Sequence, residues 1–279
     1  MNMMTSGPRS SPDPDAISSG VAAAADSGLS LGAKPKPEIQ SGLPGDTRKL
    51  RQKVALVTGG NSGIGRAVAV HFAREGANVA LICSDAEHEA ARRTKRAIEA
   101  EGQDALLIPG DMSDPGSCRE AVERCVERFG RIDILVNNGA YQEQRDGLDQ
   151  ISFAQWEKTF RTNVFGYFCM TKFAIEHMPP GAAIINSGSV AGLNGDARLL
   201  DYAATKGAIH SFTKSLAQNL VERRVRVNCV ALGLETTPLY LADEDEPELS
   251  IEFEEIARSY VYLASDADSK FLTGEVLPM

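Results

Sequence analysis

Tyr202 and Lys206 stand four residues apart in the run Tyr-Ala-Ala-Thr-Lys. On a helix that spacing puts a phenol and an ammonium on one face, within reach of each other. A free phenol has a pKa of about 10, too high for easy proton transfer at neutrality, and a close ammonium favours the phenolate and lowers that value. The pair therefore reads as a general acid/base, although the same spacing also occurs in an ordinary amphipathic helix. Its companions add to the case. Ser189 lies thirteen residues before Tyr202, Asn163 lies further upstream, and Asn137-Asn138-Gly139-Ala140 follows an aliphatic run.

The element that must position these groups is the stretch 54–70, VALVTGGNSGIGRAVAV. Residues 54–57 read as a buried strand, a glycine turn follows, and 64–72 carries a helical apolar pattern. Strand, glycine turn and helix form the first unit of a dinucleotide-binding sheet. Gly59, Gly63 and Gly65 let the backbone approach a pyrophosphate closely. The helix start then offers free N–H groups to the phosphates. The Gly-x-x-x-Gly-x-Gly spacing differs from the commoner Gly-x-Gly-x-x-Gly.

Further elements alternate along the chain. Strands are expected at 78–83, 104–108, 132–136, 182–186, 225–230 and 274–277. Helices are expected at 85–101, 113–129, 153–177, 202–222 and 254–264. Such alternation implies an α/β fold, a single doubly wound (Rossmann) parallel sheet with helices on both faces and its ligand at the carboxyl ends of the strands. Residues 1–48 are rich in Ser, Gly, Pro, Ala and Asp and read as a disordered or loosely attached tail before a domain at 49–279. A transit peptide is the rival reading, with Asp13, Asp15 and Asp26 against it. The formal charge of −9 argues against nucleic acid or an anionic membrane as main partner. Five scattered cysteines without a Cys-x-x-Cys pair suggest reduced thiols and a cytoplasmic protein, and the four histidines lack metal-ligand spacing.

Taken together, Thr58–Gly65 (TGGNSGIG), Asn137-Asn138-Gly139-Ala140, Asn163, Ser189 and Tyr202-x-x-x-Lys206 resemble the short-chain dehydrogenase/reductase family, and within it the glucose/ribitol dehydrogenase-like members. The resemblance implies an NAD(P)-dependent oxidoreductase acting on a secondary alcohol or its ketone. It makes Tyr202 the acid/base, Lys206 its tuner and the holder of the nicotinamide ribose, and Ser189 the donor to the substrate oxygen. Asn163 would support a water relay behind Lys206. Ser187, the nearby rival for Ser189, has the wrong spacing to Tyr202. For the cofactor, the resemblance implies that Asn61, Ser62 and Ile64 line the phosphate turn and that Asp111 meets the adenine. Asn137 would hold the strand end, and Thr237 would bind the carboxamide. Asp85, about twenty residues beyond the last glycine, leans the reading toward NAD rather than NADP, unless it is only a helix cap. Tyr141, Gln142, Leu193, Leu199, Leu200 and Tyr240 are expected to face the substrate. Family membership also implies a dimer or tetramer through the helices at 153–177 and 202–222.

Four departures stand out. Gly139-Ala140 inverts the family's usual order, and Leu232 stands where a proline is usual. The substrate lid around 240–252 is short and acidic, and the chain stops at Met279 without the family's Gly-Gly tail. A weakened lid and a weakened oligomer are what these departures imply. They support an alternative, a catalytically weak relative that binds a dinucleotide in a regulatory or scaffold role.

Overall fold

The structure, a computed structural model, describes residues 48–84, 88–233 and 251–279. The expected tail at 1–47, Asp85, Thr237, Tyr240 and the acidic lid stretch at 241–250 lie outside the described residues.

Runs of aliphatic residues form strands covered on both faces. They are β1 (Val54–Thr58), β2 (Asn78–Cys83), β3 (Ala105–Pro109), β4 (Ile134–Asn137), β5 (Ala183–Ser189), β6 (Arg226–Leu232) and β7 (Val276–Pro278). All pair in parallel, in the order β3-β2-β1-β4-β5-β6-β7. The described helices are α1 (Gly63–Arg74), α2 (His88–Ala100), α3 (Pro115–Phe129), α4 (Phe153–Phe160), α5 (Gly166–Ala174), α6 (Ala191–Asn194), α7 (Leu200–Asn219), α8 (Ile251–Ala264) and α9 (Asp266–Ser269). This is the expected doubly wound α/β sheet. Its strand order reverses between β1 and β4, where the crevice of such a sheet opens.

Strand side chains alternate between two cores. Ala55, Val57, Val79, Leu81 and Ile185 pack with Val68 and Phe72 of α1 and Tyr260 of α8. On the other face, Leu56, Ala80, Ile82 and Ile184 pack with Val122 of α3, Met170 of α5 and Ala217 of α7. Local signals fix the ends of α3. The Asp114 carboxylate caps it by accepting from Ser117 N–H at 2.7 Å, Pro115 opens it, and Gly130 closes it at φ +84°.

Several boundaries differ from expectation. The helix expected over 153–177 is two helices joined by a π-helical turn, Arg161–Phe165, in which Gly166 N–H bonds the Arg161 carbonyl five residues back. Ser189 is the last residue of β5 rather than just past it, because pairing with β6 carries the strand on to the Ser189–Leu232 register. Residues 251 and 252 belong to α8 and not to the lid.

Arg226 fastens the far end of α8 to the sheet. Although almost wholly buried, it donates to the carbonyls of Leu263 (2.7 Å) and Ala264 (3.4 Å) and to Ser269 Oγ (3.1 Å), with Asp266 at 3.6 Å. Those carbonyls have run out of helical donors, and Arg226 supplies them. Replacing Arg226 with Met should lower the unfolding free energy by roughly 2–4 kcal/mol, since buried acceptors lose their donor. A urea unfolding curve superimposable on the parent's would contradict this role.

Candidate active site

A cleft of about 310 Å³ opens at the carboxyl ends of β1 and β4. One wall is the glycine turn, with Gly59, Asn61, Ser62, Gly63, Ile64 and Gly65 all on its lining. Gly59 and Gly63 sit at φ +64° and +50°, in the left-handed region that favours glycine. A Cβ on Gly65 would lie 2.1 Å from the Gly59 carbonyl oxygen. The α1 N-cap, Ser62, is extended and its side chain makes no capping bond, so the amino end of α1 faces the cleft. Thr58 Oγ1 ties the turn to the strand beside it, accepting from Asn138 N–H (2.8 Å) and Gly139 N–H (3.0 Å). The backbone bends too tightly for side chains and presents N–H groups outward, a cradle that fits a dinucleotide pyrophosphate.

The inverted Gly139-Ala140 pair has a packing reason here. A Cβ on Gly139 would lie 2.7 Å from the Met112 sulfur, and one on Gly59 would lie 2.8 Å from Gly139 Cα. Two glycines thus pack against each other with Met112 filling the remaining space.

Ser189, Tyr202 and Lys206 gather along the same cleft, each almost completely buried. The end of β5 carries Ser189, and α7 carries the other two one turn apart. The Ser189 hydroxyl donates toward the Tyr202 phenol and accepts from Ala191 N–H at 3.1 Å. Lys206 Nζ lies 5.3 Å from the centre of the Tyr202 ring and 5.5 Å from that of Tyr167, and it donates to the Ser187 carbonyl at 2.6 Å. The electrostatics differ from the expected lowering of the phenol by the ammonium. Burial raises the Tyr202 phenol above its usual range, and the hydrogen bond from Ser189 opposes that rise. Burial also pushes the Lys206 ammonium down to about 8.

The remaining expected residues are placed as follows. Asp111 lines the cleft after β3, with its carboxylate accepting from the Ser113 N–H and hydroxyl at 2.8 Å each. Asn163 is fully buried in the π-helical turn and has no surface on the cleft. Its Oδ1 accepts from Tyr141 N–H (2.7 Å), and its Nδ2 donates to the Tyr141 carbonyl (2.9 Å) and Thr205 Oγ1 (3.1 Å). Its side chain thus braces the Tyr141 backbone against Thr205 of α7. Asn137 also turns away from the cleft, donating to Asn186 Oδ1 (2.9 Å) and Thr171 Oγ1 (3.2 Å). Side chains alternate along a strand, so the neighbour Asn138 faces the cleft instead. Asp85 and Thr237 lie outside the described residues. Of the residues expected at the substrate, Gln142 lines the cleft. Leu199 is buried against Ala191 and Tyr202, while Leu193 and Leu200 face solvent.

The sequence reading did not single out Asp201, which is fully buried beside Tyr202. Its carboxylate accepts from Thr159 Oγ1 (2.6 Å), Gln155 Nε2 (3.2 Å) and Tyr202 N–H (2.9 Å). Gln155 Oε1 in turn accepts from Arg145 Nε at 2.8 Å, and Arg145 pairs with Glu143, which accepts from the Tyr141 hydroxyl. That hydrogen bond holds the Tyr141 phenol up at about 12. The only sequence signal was a carboxylate on the buried face of a helix.

Residues 53–247 match the family model described as short chain dehydrogenase. The chain is 46% identical over 240 residues to the uncharacterized oxidoreductase YhdF of Bacillus subtilis, covering 82% of each chain. It is 41% identical over 260 residues to the glucose and ribitol dehydrogenase of Daucus carota, covering 87% of this chain and 89% of that one. Among solved structures, a short chain dehydrogenase from Burkholderia cenocepacia in complex with NADP is similar with a TM-score of 0.75 at 30% identity, over 83% of this chain and 97% of that one.

The buried ammonium sets a test of its own. With its pKa lowered to about 8 from 10.5, the protonated lysine weakens the fold, fully so below about pH 8. Lys206→Met should raise the unfolding free energy at pH 7 by roughly 1–3 kcal/mol. The Ser187 carbonyl keeps Tyr167 Oη as a donor at 3.4 Å. The gain should shrink as pH rises past about 8 toward 10.5, because the parent lysine then becomes neutral in the folded state. Denaturation at pH 7 and 9.5 reads both effects, and a variant less stable than the parent at pH 7 would refute the argument.

Proposed function

The chain belongs to the short-chain dehydrogenase family of nicotinamide-dependent oxidoreductases, and from this we propose that it interconverts a secondary alcohol and its ketone. The observation that carries the proposal is the meeting of a buried phenol, a serine hydroxyl and an ammonium in the cleft that also holds the glycine cradle. When bound, the dinucleotide supplies the hydride donor or acceptor.

In the reductive direction the Tyr202 phenol gives its proton to the ketone oxygen, and in the oxidative direction its phenolate takes the hydroxyl proton. Ser189 donates a hydrogen bond to that oxygen as negative charge develops. Lys206 holds the ribose and supplies positive charge beside the phenolate. Asn163 acts one step back, fixing Tyr141 and Thr205 around the lysine's helix. The glycine turn with Asn61, Ser62 and Ile64 would hold the pyrophosphate, and Asp111 would meet the adenine. Gln142 offers an amide at the substrate end, which suits a hydroxylated or carbonyl substrate.

On the adenosine side, Asp85 favours the free 2′-hydroxyl of NAD, as does Thr237 the carboxamide of either form. A second reading, NADP, draws on Arg66 and Arg93, whose guanidiniums stand near enough that Arg93 helps lower Arg66. Both cations lie on the helices that begin at this end of the sheet.

Two measurements test the reading. Tyr202→Phe should lower kcat by about 10²- to 10⁴-fold, the scale of a lost acid/base, while the Kd for the dinucleotide stays within about twofold. A variant as active as the parent would remove the role. Cofactor binding by the parent without turnover on a panel of ketones, aldehydes and sugars would favour the binding-only alternative. For the cofactor, kcat/KM with NADH should exceed that with NADPH, and Asp85→Arg should reverse the order. Equal use of both by the parent would overturn the NAD reading.

A further inference from the structure

We propose that His210 is a positioning residue for Ser189, holding the backbone of the serine from the same helix that carries Tyr202 and Lys206. The inference rests on the function proposed above and extends it to a residue that function does not use. His210 lies one turn beyond Lys206 on α7 and is 6% exposed. Its Nε2 accepts from the Ser189 N–H at 3.4 Å, which in the neutral ring leaves the proton on Nδ1, and the Gly192 backbone favours the protonated ring. Tyr202, Lys206 and His210 thus form one stripe along α7, and the last of them anchors the residue the first must meet.

A second observation points the same way. A Cβ on Gly188 would lie 2.5 Å from His210 Nε2 and 2.6 Å from Cys229 Sγ. Glycine at 188 is what lets the imidazole reach the strand end. Gly192, whose Cβ would lie 2.6 Å from the Lys206 carbonyl carbon, brings α6 equally close to α7. Gly188 makes room for the imidazole itself, and Gly192 lets α6 approach the turn of α7 at Lys206 and Gly207 that leads to it.

An imidazole holds this bond only while neutral, since protonated Nε2 becomes a donor and repels the Ser189 N–H. Burial keeps His210 neutral below the usual histidine range, helped by the charges of Lys206 and Lys214 on its own helix. The facing group on β6, the Cys229 thiol, is held up at about 12 and stays uncharged. As pH falls through the lowered His210 value, the serine loses its anchor and turnover falls.

The test compares His210→Phe, which keeps the ring and removes the acceptor, with His210→Gln, which places an amide oxygen near the same point. Phe should lower kcat by roughly five- to tenfold with KM and dinucleotide Kd little changed, the scale of one neutral hydrogen bond. Gln should recover most of that loss and remove the parent's acid limb below pH 6.5. Phe turnover equal to the parent's, or an acid limb that survives in both variants, would overturn the proposal. Nitrogen NMR of the parent gives a readout without activity. The Nδ1–H tautomer is expected, with the Ser189 amide proton following the His210 titration, and an Nε2–H tautomer would sink the proposal. If that spectrum is as expected and no substrate turns over, the proposed function fails while the positioning contact stands.

Discussion

An ammonium withdrawn almost completely from water is the constraint around which this site is built. Lys206 is 1% exposed, and nothing carrying a formal negative charge accepts its proton among its described contacts. One carbonyl and the faces of two tyrosine rings replace its hydration. The carbonyl belongs to Ser187, which pairs with Val230 of β6 but lies one residue beyond the last β4 pair, Asn137–Asn186. Ser187 Oγ extends the link, with Tyr260 of α8 at 2.7 Å and Asn138 at 3.1 Å. Asn138 Nδ2 then reaches the carbonyls of Thr58 and Gly59 at 3.3 Å. A single residue on β5 thus couples the lysine, the glycine turn and α8.

The region behind Tyr202 is organised by the opposite sign. Asp201 brings a carboxylate into the interior beside the tyrosine, and the Gln155 amide turns its NH₂ toward that carboxylate and its oxygen toward Arg145. An amide can satisfy both only in this orientation, so the network is specified as well as satisfied. The loop bearing Tyr141, Glu143 and Arg145 is tied to α4 and to the start of α7, with Arg145 N–H on the Arg198 carbonyl at 2.9 Å. Placement of Tyr202 and the shape of this loop are therefore mechanically linked. Water exclusion strengthens each of these polar contacts and makes an unsatisfied one costly.

Much of the fold was legible because it rests on each residue's own type. Aliphatic runs such as ILVN and VALVT announced buried strands, and the phenol–ammonium spacing placed two groups on one helix face. The glycine turn was legible for the same reason, since only glycine fits φ +64° beside a facing backbone. The limits were also local. Asn137 and Asn138 are identical in type, and only the strand's phase shows that the second faces the cleft. Nothing in the types of residues 153–177 marks a π-helical turn at Arg161–Phe165.

The sequence by itself determined the alternation of strands and helices, the glycine turn and the helical pairing of Tyr202 with Lys206. Burial and backbone conformation act on residues near one another in the chain, so their periodicity is written there. Tertiary structure alone decided that Asn163 braces Tyr141, that Ser187 offers its carbonyl to the ammonium, and that Asp201 and His210 stand behind the tyrosine and the serine. Those contacts join residues up to dozens of positions apart, and their distances exist only once parallel register and helix packing have fixed which atoms meet.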